Sequence, residues 1–219
     1  MIVVYSALLG DVTRDIVAAP PAGCDAKYVL FTNGPAVEGW ERVEVSATLD
    51  RSPRMTARLL KANPELWFPN VDATVWIDAG ARLLRPVADL VRLGDAVAAF
   101  RHHRRGCLAD EGRAVARRDA RHDEAVARQL GEYRRLCFDP DAPRAITVTG
   151  LLVRRGRDVR VRAFNEVWQA QLMRHTLRDQ LSIDYAAWST DVTIHHLSRS
   201  YVNNSFVRFG EHACPTTSR

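Results

Sequence analysis

Hydrophobic and polar positions divide the chain into short apolar runs that alternate with longer segments of helical periodicity. The apolar runs are rich in β-branched and aromatic residues and are bounded by Gly, Pro and Asp, which is typical of buried strands. Strands are therefore predicted at residues 3–9, 27–33, 41–45, 73–78, 95–100, 145–154 and 192–197.

The segments between these runs predict helices. The helix at 52–62 begins with a serine N-cap and a proline in its first turn, and an Asn-Pro pair ends it. The stretch at 108–136 lacks Gly-Pro punctuation and is rich in Ala, Arg and Glu, so we predict a helix with a break near His122 or Gly131. The remaining helices are predicted at 159–175 and 178–188.

Strands that alternate with helices predict an α/β fold built on a mainly parallel sheet flanked by helices. In open sheets of this class, ligands bind at the carboxyl ends of the strands, so polar side chains at those ends are the first candidates for a site. A single domain is expected over residues 1–210, followed by a loose polar tail at 211–219.

Composition narrows the class of protein. The chain is 47% hydrophobic and 26% charged, which excludes disordered and fibrous proteins. No apolar run approaches the ~20 residues that cross a bilayer, so no membrane span is expected. The first residues lack the basic segment of a signal peptide, and the four cysteines show no CxxC spacing. A cytoplasmic protein without a disulfide framework is therefore expected.

The net charge of +5 is unevenly distributed. Residues 101–135 and residues 154–162 form two basic islands, each with a net charge of +4. Of the 31 cationic residues 29 are Arg, which either reflects a GC-rich genome or serves bidentate recognition of phosphate. Because the charges are clustered in these islands, a polyanionic binding partner remains one of the alternatives.

Two groups of residues suit the binding of a diphosphate. Asp78 ends a hydrophobic strand and precedes two small residues, so it either holds a divalent cation on a diphosphate or caps the following turn. Arg54, Arg58 and Lys61 are spaced four and three residues apart and share one helix face. That face either binds a polyphosphate or is simply solvated.

Other polar groups also occur at strand and helix ends. The segment 100–107 lies at the end of a strand, and its imidazole and guanidinium groups suit phosphate, a sugar or a polyanionic acceptor. Asp179 and Gln180 begin a helix, where they cap it or point into a cleft. His195 and His196 end the last strand and are either structural or ligands for Mn²⁺. No P-loop, dinucleotide fingerprint, nucleophile elbow or zinc-protease motif occurs.

Taken in order, these segments resemble the TOD/MUCI glycosyltransferase-like family from Tyr5 to about Tyr185. The matching pieces are the segments 5–11, 28–33 and 76–78, the side chains Arg54, Arg58 and Lys61, the group His102, Arg105 and Glu111, and the segment 178–182.

This resemblance implies a Rossmann-like fold of the GT-A type. It also implies an enzyme that moves a sugar from a nucleotide-sugar donor, a UDP-sugar first of all, to an acceptor hydroxyl of a carbohydrate or small molecule, with retention of configuration favoured. The nucleoside would lie at Ser6, Ala7, Leu8, Gly10 and Asp11, and the diphosphate at Arg54, Arg58, Lys61 and Asp78. The remaining implied substrate residues are His102, Arg105, Glu111 and Arg178, with Asp179 and Gln180 as the catalytic pair at the sugar.

The resemblance further implies Mn²⁺ or Mg²⁺, held by Asp78 with His195 or His196. GT-A proteins carry an Asp-x-Asp motif, whereas this chain has Asp78-Ala79-Gly80 and lacks the second carboxylate. Three alternatives stay open. They are a transferase acting on hydroxymethylated DNA, a non-catalytic domain that binds nucleotide sugars or polyanions, and a hydrolase with Asp78 and Asp179 as paired carboxylates.

Overall fold

The computed structural model describes residues 1–10, 17–23, 26–45, 52–93, 95–197, 201–202 and 204–210. The strands of this part of the chain are β1 Ile2–Leu8, β2 Lys27–Thr32, β3 Glu41–Glu44, β4 Ala73–Ile77, β5 Ala81–Leu83, β6 Val97–Arg101, β7 Thr147–Arg155, β8 Ile194–His196 and β9 Val207–Phe209. Its α-helices are α1 Pro53–Ala62, α2 Val87–Leu93, α3 Leu108–Arg118, α4 Asp123–Arg135, α5 Val159–Arg174 and α6 Ile183–Ser189.

Seven strands form one sheet in the order β3-β2-β1-β4-β7-β6-β8. Within it β7 runs antiparallel to both of its neighbours, and the other pairings are parallel. The strands β5 and β9 pair antiparallel in a separate ribbon. The expected α/β class with a mainly parallel sheet is confirmed, and the arrangement is consistent with a GT-A-like fold. The expected tail at 211–219 lies outside the described residues.

The predicted strands all occur, within two residues of their expected bounds. The long helical stretch divides into α3 and α4 at a short 3-10 turn, Ala120–His122, which confirms a break near His122. The prediction of a single helix at 178–188 was wrong, because a 3-10 turn at Asp179–Leu181 precedes α6. The main-chain carbonyl of Asp179 accepts the Ser182 N–H (3.2 Å) in this 3-10 turn, and it also accepts the Trp168 indole N–H and the Ser182 hydroxyl.

Both faces of the central strands are buried, as is usual for parallel sheets. Along β1, Val3 and Tyr5 pack with α1, α5 and α6, whereas Val4 packs on the other face with α2. A third cluster joins α3 and α4 to α6 through stacked Tyr133 and Tyr185, whose ring centroids lie 4.1 Å apart. No described helix combines the length and the apolar character that a bilayer crossing requires.

Arg154 of β7 lies fully buried behind the C-terminal end of α1. Its guanidinium donates to the main-chain carbonyls of Lys61 (2.7 Å) and Ala62 (3.1 Å), to Asn165 Oδ1 of α5 (2.9 Å) and to the Tyr5 hydroxyl. A cation is stabilised at this position because the last carbonyls of a helix carry partial negative charge. Arg154 therefore fixes the end of α1 against β1, β7 and α5.

We expect Arg154→Met to lower the free energy of unfolding by about 3–5 kcal/mol, because the buried Ala62 carbonyl and Asn165 Oδ1 then lose this donor, while the Lys61 carbonyl keeps the Tyr5 hydroxyl but loses its second donor. Urea denaturation followed by circular dichroism measures this change. The matched control is Arg157→Met, since Arg157 is exposed and pairs with the exposed Asp72. This control should change stability by well under ~1 kcal/mol. Similar losses in the two variants would contradict the role assigned to Arg154.

Candidate functional site

A cleft of about 260 Å³ opens at the carboxyl ends of β4 and β6. The antiparallel strand β7 begins between these ends. The Asp78 N–H donates to the Gly150 carbonyl (2.9 Å), and the His102 N–H donates to the Ile146 carbonyl (2.7 Å). Because of this pairing, the residues that follow β4 and β6 lie on either side of the first residues of β7.

Asp179 is a buried carboxylate in the wall of this cleft. Its Oδ2 accepts hydrogen bonds from Arg58 Nη1 (2.6 Å), Lys61 Nζ (2.6 Å) and Thr149 Oγ1 (2.8 Å). Burial by itself raises the pKa of Asp179, but the positive charges of Arg58 and Lys61 outweigh it and hold this pKa well below its usual range. Asp179 is therefore ionised at physiological pH and does not act as a proton donor.

Lys61 links the two acids at the base of the cleft. Its side chain is fully buried, and Nζ donates to Asp78 Oδ1 (3.0 Å) as well as to Asp179. The Trp76 indole N–H also donates to Asp78 Oδ1 (2.6 Å), and the ammonium of Lys61 lies 5.4 Å from the centre of a Trp76 ring. Of the alternatives for Asp78, the structure thus excludes a simple turn cap, because this carboxylate is bonded to Lys61 and Trp76.

Three guanidinium groups converge where α1 meets the turn at Asp179. Partial burial lowers the pKa of Arg54, and the positive charges of Arg178 and Arg58 lower it further. Within the described ranges only Arg58 of these three has an ion-pair partner. The Arg178 Nε is buried and makes no hydrogen bond there. The α1 face is therefore not simply a solvated surface, and it gathers positive charge that an anion would stabilise.

His102 follows β6 on the far wall of the cleft. Its Nδ1 accepts the Arg104 N–H (3.1 Å), so the proton of the neutral ring lies on Nε2. Burial, followed by the charge of Arg105, lowers the pKa of His102 from its ordinary value of 6.5 to about 4. Arg105 itself forms an ion pair with the buried Glu111. His102 is thus a neutral hydrogen-bond donor at physiological pH.

The segment that follows β1 lies at the same edge of the sheet but does not line this cleft. The N–H of Gly10 donates to Asn33 Oδ1 (3.1 Å), and a Cβ at Gly10 would lie 3.2 Å from Pro53 of α1. With φ at +90°, Gly10 suits a close approach between this loop and α1. The predicted donor residue Asp11 lies outside the described residues.

The two histidines of β8 lie far from Asp78. The strands β7 and β6 separate β8 from β4, which corresponds to roughly 14 Å across three strand spacings. His195 is exposed, and His196 Nε2 lies 3.1 Å from Thr147 Oγ1. Thr147 in turn donates to Asp184 Oδ1 (2.5 Å) of α6. The structure does not bring His195 or His196 to the acid they were expected to assist.

Residues 6–209 match the sequence model of a family, TOD1/MUCI70, glycosyltransferase-like domain. The chain belongs to this family. All the residues that line the cleft fall within the matched range. Among curated proteins no match was found.

The cleft of the TOD1/MUCI70 domain gathers most of the residues singled out in the sequence. Lys61 lies directly behind it, and Arg54 lies beside Arg58 and Arg178. The predicted residues in its lining are Arg58, Asp78, His102, Arg105, Glu111, Arg178, Asp179 and Gln180. Their roles toward a ligand stay predictions.

Sequence reasoning missed other parts of the TOD1/MUCI70 cleft. Thr149 and Gly150 lie in its wall. The one sequence signal for them was the presence of a hydroxyl residue and a glycine within an otherwise apolar strand. A Cβ at Gly150 would lie 2.7 Å from Phe209 Cε1, so only glycine allows this close contact. Phe209 reaches the cleft through the pairing of β9 with β5, and Val148, Tyr201 and Arg118 complete the missed set.

The acids of the TOD1/MUCI70 cleft do not fit the divalent cation that the resemblance implied. The described ranges contain no group of three or more His, Cys, Asp or Glu side chains that could hold a metal. The Oδ2 of Asp179 already has three donors, and Asp78 Oδ1 has two. Gly80 occupies the position of the second acid with φ at +82°, a conformation that a side chain there would strain.

We expect the His102 imidazole to titrate at about pH 4, which ¹⁵N-detected NMR of the histidine rings measures. The signal should report the Nε2–H tautomer throughout neutral pH. Arg105→Gln removes a nearby positive charge and should raise this pKa toward 6.5. A wild-type midpoint near 6.5 would contradict the neutral donor assigned here.

Asp184 gives the fold a pH-dependent stability. Burial raises the pKa of Asp184 from 3.8 to about 6, so the folded chain binds more protons than the unfolded chain between these values. Stability should therefore fall as pH rises through this window. Asp184→Asn keeps partners for the Thr147 N–H and hydroxyl, and it should raise the free energy of unfolding at pH 8 by up to about 3 kcal/mol.

Urea denaturation of wild type and Asp184→Asn at pH 4 and pH 8 measures this difference, which should be small at pH 4. Asp95→Asn is the control because Asp95 is exposed. A gain at pH 8 that is equal in the two variants would show that net charge, and not the burial of Asp184, is responsible.

Proposed function

We propose that this domain transfers a sugar from a nucleoside-diphosphate donor, with a UDP-sugar as the first candidate, to the hydroxyl of a carbohydrate or small-molecule acceptor. The observation that carries this proposal is the convergence of Arg54, Arg58 and Arg178 at the cleft. Of these three, Arg58 alone has an ion-pair partner in the described residues, the carboxylate of Asp179. Guanidinium groups bind phosphate oxygens in bidentate geometry, so a diphosphate is the ligand that this charge favours. Family membership supports the same class of reaction.

In the proposed reaction, the bond between the anomeric carbon and the diphosphate oxygen breaks while the acceptor oxygen bonds to that carbon. Negative charge develops on the departing diphosphate. Preorganised cations stabilise such charge without the cost of reorientation, which is the role we assign to Arg54, Arg58 and Arg178. Asp179 Oδ1 has no partner among the described residues and would accept a sugar hydroxyl.

The ionisation states of the cleft favour retention of configuration. Each acid in the described lining is paired with a cation: Asp78 with Lys61, Asp179 with Arg58 and Lys61, and Glu111 with Arg105. His102 is a poor base, because its Nδ1 is occupied and its pKa is low. Without a general base, the acceptor proton would pass to the departing phosphate oxygen, on the face that the donor leaves.

A hydrolase with Asp78 and Asp179 as paired carboxylates is less well supported. A glycosidase acid needs a raised pKa, whereas the pKa of Asp179 is held low and both acids bind Lys61. This arrangement favours binding and charge stabilisation over proton donation.

A DNA acceptor also receives little support from the placement of the basic islands. Within 154–162, Arg154 is a core residue, and Arg157 and Arg160 form ion pairs with Asp72 and Asp158. Because β7 runs antiparallel, its last residues lie at the opposite end of the sheet from the cleft. Only the island at 101–135 borders the cleft, through Arg105 and Arg118. The island at 154–162 therefore does not extend the basic border of the cleft.

Calorimetric titration of nucleoside diphosphates tests the proposed donor site. Arg178→Gln should weaken the tightest of these ligands by about 10- to 100-fold, because a charged hydrogen bond is worth about 1.5–3 kcal/mol. Arg128→Gln is the matched control, since Arg128 is exposed on α4, and its one ion pair among the described residues is a long contact with Glu124 (3.7 Å). It changes net charge equally and should leave the affinity unaltered.

Absence of binding to every nucleoside diphosphate would contradict the proposal. Binding followed by release of nucleoside diphosphate from a nucleotide sugar, with an acceptor panel resolved by NMR of the anomeric proton, would support a retaining transferase. Tight binding without turnover on any acceptor would instead favour a non-catalytic domain. Transfer to hydroxymethylated DNA that falls steeply with salt would favour the DNA acceptor.

A further inference from the structure

We propose that Lys61 takes the place of the divalent cation in the donor site, so that diphosphate binding needs no metal. This inference rests on the proposed function and concerns how that site neutralises its ligand. The argument begins with the position of Lys61 Nζ, which lies 3.0 Å from Asp78 Oδ1 and 2.6 Å from Asp179 Oδ2. A metal that bridged these two acids would need the space that Nζ fills.

Lys61 is held in this position from behind. Its main-chain carbonyl accepts hydrogen bonds from the Tyr5 hydroxyl (3.0 Å) and from Arg154 (2.7 Å), both of them buried. Its side chain is fully buried. A side chain so enclosed, on a helix end fixed by a buried guanidinium, does not swing away to admit a cation. The ammonium is therefore a permanent part of the site.

The oxygens that face Lys61 have little capacity left for a metal. Divalent cations such as Mg²⁺ and Mn²⁺ require carboxylate oxygens that are ionised and available. Asp179 Oδ2 accepts from Arg58, Lys61 and Thr149, and Asp78 Oδ1 accepts from Lys61 and Trp76. The positive φ of Gly80 disfavours a further acid two residues after Asp78, where the Asp-x-Asp motif would place one.

The charge balance points the same way. Asp78 and Asp179 are matched by Lys61 and Arg58, and the guanidiniums of Arg54 and Arg178 add positive charge without acids of their own in the described residues. A site that needs a divalent cation keeps a surplus of negative charge before the metal binds. Here the surplus is positive, so a metal would be repelled, and a diphosphate would be attracted without one.

The test is calorimetric titration of wild-type protein with UDP, and with the tightest nucleoside diphosphate of the panel, in excess EDTA and then in excess Mn²⁺. We expect equal affinity in the two conditions. Binding that appears only with Mn²⁺ would overturn the inference while leaving the proposed donor site intact. Absence of binding in both conditions would remove the proposed function itself, and the inference with it.

A second variant keeps the test informative, since substitution of the buried Lys61 risks the fold. Asp78→Asn retains an oxygen acceptor for Lys61 and Trp76 but removes one negative charge next to the ligand. If Lys61 replaces the metal, this variant should keep or raise the affinity for UDP. A metal ligand at Asp78 would instead make Asp78→Asn lose affinity in Mn²⁺, and that loss would overturn the inference.

Discussion

The buried carboxylate of Asp179 has to be neutralised, and this requirement organises the cleft. An unpaired charge at this depth would cost several kcal/mol, so helix α1 and strand β7 must both present donors to one oxygen atom. Arg58, Lys61 and Thr149 do so from elements far apart in sequence. These hydrogen bonds tie α1, β7 and the turn at Asp179 together at one oxygen atom, and the base of the cleft is built around it.

A second buried charge makes this constraint rigid. Arg154 binds the last carbonyls of α1 from behind, while Lys61 on the same helix turn reaches forward to the acids. The guanidinium of Arg154 thus holds the same piece of backbone, Lys61 and Ala62, from which the ammonium of Lys61 extends into the site. Because the supporting contacts are buried and directional, the cations are placed before a ligand arrives, which is the condition for electrostatic stabilisation without reorganisation.

The local sequence pattern predicts those features that depend on interactions between residues close together in the chain. Short apolar runs bounded by Gly, Pro and Asp located the strands, and the Ser52 cap with its following proline located α1, whose spacing correctly placed Arg58 and Lys61 on one face. Arg154 could not be assigned to the core, because a charged residue in a basic run is usually exposed. The reversed direction of β7 and the contact of Phe209 with Gly150 depend on pairings between distant segments, for which no local signal exists.

The same paired charges limit the chemistry that the cleft can perform. Asp179 is paired with Arg58 and Lys61 and its pKa is held low, so it cannot exchange a proton near neutral pH, and neither can His102, whose pKa is also lowered. What such a site offers is fixed positive charge and hydrogen-bond donors. Those groups stabilise a departing anion far better than they activate a nucleophile, so a reaction whose leaving group carries the developing charge matches the site. Loss of a nucleoside diphosphate from a sugar is a reaction of this kind.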